Sequence, residues 1–158
     1  MKKWLSMAAA ILLIFVLCAC GASGAAQKTA DLGALYEQLL TAAEDAPEMV
    51  RVPESKLEKL FGLHPEDCGE IIVSLCAESV RADEIWLIEA KDETAADYAQ
   101  EMAAARLEQR KEEMKSYLPD QYAVLQSAEL LRQGNYVALL VSPSAAEMAE
   151  LFEAAFKG

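Results

Sequence analysis

Three features of this 158-residue sequence predict an α+β fold: an antiparallel four-stranded sheet built from two ββα units, with an additional N-terminal amphipathic helix. Apolar residues recur at period two in runs over 70–77 and 85–90, and again over 128–132 and 136–141. A run with helical spacing follows each pair, and Gly134-Asn135 between the last two strands is a strong hairpin signal. Strands that come in pairs before each helix, rather than alternating singly with helices, point to α+β.

The elements follow in order. Asp31 can cap a helix whose apolar positions Leu32, Leu35, Tyr36, Leu39, Leu40 and Ala43 recur at three and four, and Ala46-Pro47 ends it. Residues 49–53 read as extended, and 54–61 as a short helix closed by Gly62. His64-Pro65-Glu66-Asp67 reads as a turn opening one further helical turn, with Pro65 at the tolerated first position. In the first strand Ile71, Val73, Leu75 and Ala77 face one way and Ile72, Ser74 and Cys76 the other; the 79–84 loop leads to the second. A long helix over 93–117 carries Ala95, Ala99, Met102, Ala103, Leu107, Met114 and Tyr117 on one stripe. Arg106 and Arg110 share that stripe, with stems over apolar surface and heads in water. Pro119 closes this segment, 121–127 has no clear period, and Ser144 to Glu147 forms a capping box for a last helix that buries Met148, Leu151, Phe152, Ala155 and Phe156. Both faces of the strands are apolar, so each needs a cover. The expected arrangement sets the first helix opposite the two long ones, or lets a second copy of the chain cover the free face.

The N-terminus predicts an address. Lys2 and Lys3 precede an apolar run from Trp4 to Leu17, and Leu17-Cys18-Ala19-Cys20 reads as a lipoprotein cleavage box. Cys20 is the expected acceptor, because Ala19 supplies the small residue before it, whereas Cys18 would place Leu17 there. The apolar run is short of the ~20 residues that span a hydrocarbon core. Two acyl chains on Cys20, at about 0.8 kcal/mol per buried CH₂, would hold the chain stably on the outer face of the cytoplasmic membrane. The expected organisation is a signal peptide over 1–19, a lipidated cysteine and Ala/Gly/Ser-rich tether over 20–30, and one domain over 31–158.

Charge and cysteines limit the chemistry. The formal charge is −12, and loss of Lys2 and Lys3 with the leader makes it more negative, which argues against nucleic acid as a partner. Cys68 and Cys76 lie eight residues apart, roughly 26 Å if the segment between them is extended at ~3.3 Å per residue, so they should remain free, packed thiols. His64 is the single histidine. The cluster His64, Glu66, Asp67, Cys68 lacks the second His or nearby Cys that a zinc site needs, so no metal and no cofactor is expected. Glu44-Asp45 and Asp92-Glu93 lack an EF-hand frame and read as helix-end charges. Arg106, Arg110 and Lys111 could hold an anion, but Glu108, Glu112 and Glu113 beside them favour surface pairing along the helix.

Several short segments, in their order, carry a resemblance: the box at Cys20, Pro47-Glu48-Met49-Val50, Leu60-Phe61-Gly62-Leu63, Ala82-Asp83-Glu84-Ile85, the long Ala/Glu/Lys/Arg helix, and Gly134-Asn135-Tyr136-Val137. Over roughly residues 31–157 the chain resembles the clostridial, Firmicute-type lipoproteins that carry domain of unknown function 4358. The resemblance implies a surface-anchored protein and brings no catalytic residues. Asp83-Glu84 and Gly134-Asn135-Tyr136 read as turn chemistry.

With no nucleophile elbow, Ser-x-x-Lys or phosphate loop, no catalytic residue is assigned. The expected function is a non-catalytic, lipid-anchored binding module whose partner is an envelope protein or a second copy. The alternatives are a carboxylate-dependent envelope hydrolase, marked by two carboxylates about 5–9.5 Å apart in a cleft, and a small-ligand receptor, for which the chain is short of two closing lobes.

Overall fold

The computed structural model describes residues 29–43 and 46–157 and is α+β with a fully antiparallel sheet. Five strands form it: β1 (Met49–Arg51), β2 (Cys68–Cys76), β3 (Glu84–Ala90), β4 (Glu129–Gln133) and β5 (Tyr136–Val141), in the order β1-β2-β3-β5-β4. The fifth strand corrects the four-stranded expectation. The segment expected only to be extended pairs Met49, Val50 and Arg51 with Cys76, Leu75 and Ser74. With Pro47 and Pro53 on either side it is confined to three residues, as suits an edge strand.

The helices are α1 (Leu32–Ala42), α2 (Leu57–Phe61), α3 (Glu93–Met114), α4 (Pro119–Gln126) and α5 (Ala145–Phe156). Asp31 caps α1 by accepting the Ala34 amide at 2.8 Å, and Asp92 caps α3 through the Ala95 amide at 2.9 Å. Gly62 ends α2 at φ 70°, and Gly134 turns the β4–β5 hairpin at φ 57°, backbone that costs glycine least. Pro65 opens a 3₁₀ turn over Pro65–Asp67. The unassigned 121–127 segment is α4, started by Pro119 at its first turn. The capping box does not form: Ser144 makes no side-chain cap bond, and its amide donates instead to Ser142 Oγ at 3.1 Å.

The layer arrangement also departs from expectation. The two long helices lie on opposite faces, and α1 shares one of them with α5. On that face Leu32, Leu35, Leu39, Met148 and Phe152 meet Ile72, Ile85, Leu87, Ala138 and Leu140. On the other, Leu57 of α2, Ala96, Ala99, Ala103 and Leu107 of α3 and Leu125 of α4 meet Val73, Trp86, Ile88, Val137 and Leu139. Helical spacing declares that a helix has an apolar side without declaring which sheet face it covers. Tyr117, placed on the buried stripe of the long helix, is 85% exposed, because α3 ends at Met114 and the turn that follows rotates it outward.

Candidate functional site

The β2–β3 end of the sheet concentrates the charged residues that are buried. Asp83 and Glu84, expected as turn residues, are 5% and 2% exposed at the start of β3. A carboxylate so placed requires donors, since its desolvation is otherwise uncompensated. Glu84 has three: Trp86 Nε1 at 2.7 Å and Arg106 Nε and Nη2, each at 3.1 Å. Trp86 lies two residues on, so β-strand alternation brings its indole to the same face. Arg106 reaches Glu84 from α3 with its guanidinium over the Phe61 ring, 5.2 Å from the centroid, while Phe61 meets Trp86 edge-on. Its head therefore turns inward, contrary to the expectation that it reaches water.

Asp83 accepts Arg81 Nε and Nη2 at 2.9 and 3.3 Å. Ala82 between them is fixed by its amide donating to Gln121 of α4 at 2.8 Å. Arg110, one helical turn beyond Arg106, donates to Glu113 at 2.7 Å, and this bond holds the Glu113 carboxyl below its ordinary range. Together Arg81, Asp83, Glu84, Arg106 and Arg110 line a cleft of about 270 Å³ whose remaining wall includes Leu75 and the exposed Ser79. The anion-binding trio of the sequence divides here: Arg106 and Arg110 enter the cleft, and Lys111 pairs on the surface with Glu108 at 2.8 Å.

The opposite end is of another kind. Tyr136 donates its hydroxyl to Glu89 at 2.7 Å; burial, reinforced by that carboxylate, pushes its pKa up to about 12. Ala30, where the described chain enters the domain, packs on this side beside α1. A wider hollow of about 580 Å³ at this end contains Asp97 paired with Arg132 at 2.9 Å. His64 stacks on Tyr98 and lies 3.9 Å from Glu66, while Cys68 Sγ donates to the His64 carbonyl. Burial, then the Asp67 charge, raises the Cys68 thiol to about 11, so it is protonated and a poor nucleophile at neutral pH. Cys68 and Cys76 are free and half-buried at the two ends of β2. Among the described residues no group of three His, Cys, Asp or Glu side chains converges to hold a metal, and no helix is long and apolar enough to cross a membrane. Cys20, the expected lipidation site, lies outside the described residues.

Sequence reasoning missed the Glu84–Arg106 pair, although both halves of its signal are present. An acid and a tryptophan two residues apart inside an apolar strand need a donor, and an arginine on the buried stripe of a helix needs an acceptor. The two are 22 residues apart, and only packing joins them. A family model with the description Domain of unknown function (DUF4358) matches residues 42–142. No curated protein and no solved structure matches the chain.

Proposed function

The chain belongs to the family described as Domain of unknown function (DUF4358), and from that premise we propose that it is a non-catalytic binding module, anchored by lipid on Cys20 to the outer face of the cytoplasmic membrane in a Firmicute-type envelope. The observation that carries the binding role is the state of the buried charges at the cleft. Both oxygens of Glu84 accept from Arg106 and both of Asp83 from Arg81. Carboxylates held this way frame a cavity rigidly and have little freedom to shuttle protons.

The entry point of the chain fits an anchored presenter. Ala30 sits at the end of the sheet where Glu89 faces Tyr136, and the cleft lies where Glu84 faces Val141. The five residue steps between them correspond to roughly 17 Å along the strand. An anchor preceding Ala30 therefore attaches to the end away from the cleft and leaves it open to an envelope partner.

The test places a photo-crosslinking residue at exposed Ser79 in intact cells. A specific envelope adduct is expected from the anchored protein, with strong loss in Cys20→Ala, where the protein should leave the membrane fraction or accumulate as precursor. Equal capture and membrane retention in Cys20→Ala would overturn the anchored reading. Turnover of a wall fragment by the purified protein, abolished by Glu84→Gln with folding intact, would replace it with a carboxylate-dependent hydrolase.

A further inference from the structure

Two of the three guanidinium groups at the cleft use the same edge in the same way. Arg81 presents Nε and Nη2 to Asp83, and Arg106 presents Nε and Nη2 to Glu84. This side-on fork matches the two oxygens of a carboxylate. Arg110 is different. Its Nη1 donates to Glu113, but its buried Nε has no acceptor among the described residues. Its Nη2 reaches only the Arg81 carbonyl at 3.4 Å and Met114 Sδ at 3.9 Å, both long for a guanidinium donor. A buried N–H left this way is an energetic liability that an incoming acceptor would relieve.

We propose that the Nε/Nη2 fork of Arg110 receives the carboxylate of a ligand entering the cleft, displacing the long contact to the Arg81 carbonyl; this deepens, and rests on, the reading of the cleft as the recognition site. A monoanion suits the position better than a phosphate dianion. Arg81 and Arg106 are already neutralised by Asp83 and Glu84, and the chain as a whole carries −12. Leu75 on the cleft wall offers an aliphatic ligand body apolar contact.

The experiment follows the arginine Nε–Hε resonances of the ¹⁵N-labelled mature chain in detergent micelles during titration with acetate, butyrate and inorganic phosphate. One resonance, identified by its loss in Arg110→Lys, should shift and saturate, with butyrate half-saturating below acetate and phosphate above both. Arg132→Lys, at the other end of the sheet, should leave the titration unchanged. Glu113→Gln removes a competing carboxylate from Arg110 and should lower the half-saturating butyrate concentration about threefold, the scale of one partly exposed ion pair. Absence of a saturable shift, saturation by phosphate first, or a saturable response that survives Arg110→Lys would overturn the proposal. If Arg110→Lys does not fold, an unchanged midpoint in Glu113→Gln overturns it instead. Loss of anchoring at Cys20 would leave this titration untouched, so the two readings fail separately.

Discussion

The two ends of the sheet handle charge in opposite ways. At the end where the chain enters, Glu70 stands directly across from Glu89 in the β2–β3 pair, a like-charge arrangement, and Glu70 is exposed. At the cleft end Glu84 and Asp83 are buried, and each is matched by an arginine. Water screens the first pair, so the repulsion is tolerated. No such screening reaches the second, where only a bonded counter-charge makes the burial affordable. The contrast teaches that charge at the cleft end is structural frame, while at the chain-entry end a like-charge pair is tolerated because Glu70 stands in water.

The largest effect that would break this comparison is expected at Arg106. Arg106→Ala strands the buried Glu84 carboxylate and should cost about 3–5 kcal/mol in urea unfolding, the scale for removing one partner of a buried pair. A loss under 1 kcal/mol, the scale of an exposed pair, would show that the cleft end is as forgiving as the other.

Alkaline titration should come next. The folded chain keeps the Tyr136 proton to about 12 and the unfolded chain releases it near 10, so the folded state binds more protons in between and stability falls as pH rises through that window. Cys68, raised to about 11 from 9.0, adds a loss of the same sign beginning near pH 9. Tyr136→Phe should flatten the upper part of the stability–pH curve and Cys68→Ala the lower part. Parallel curves for wild type and both variants would contradict the placement of these groups.

The smallest effect sharpens the chain-entry end. Glu70→Gln relieves the cross-strand repulsion with Glu89 and should stabilise by about 0.2–1 kcal/mol, an increment that 0.5 M salt should shrink. Destabilisation would mean that Glu70 has a favourable role outweighing the repulsion.

Much of the fold was legible because its signals are local. The three- and four-residue spacing of Leu32, Leu35, Tyr36 and Leu39 placed α1, and alternation with Gly134-Asn135 placed β5 at its observed bounds. What was not legible is long-range. β1 is three residues long and exists because β2 offers it an edge. The Ala96, Ala99 and Ala103 stripe could have packed on either face, and Ser144 leaves the extended backbone that a capping residue adopts, so its side chain makes no cap. The candidate site was least visible. Asp83-Glu84 has the composition of a turn, and only the approach of α3 and α4 buries it.

Under the proposed function, the contrast between the ends acquires its meaning from a lipid anchor on Cys20. The most direct measurement is a mass spectrum of the N-terminal tryptic peptide from the membrane fraction, ending at Lys28. The expected peptide begins at Cys20 and carries a diacylglyceryl thioether. An unmodified peptide retaining Trp4 to Ala19, or a modified one beginning at Cys18, would contradict it.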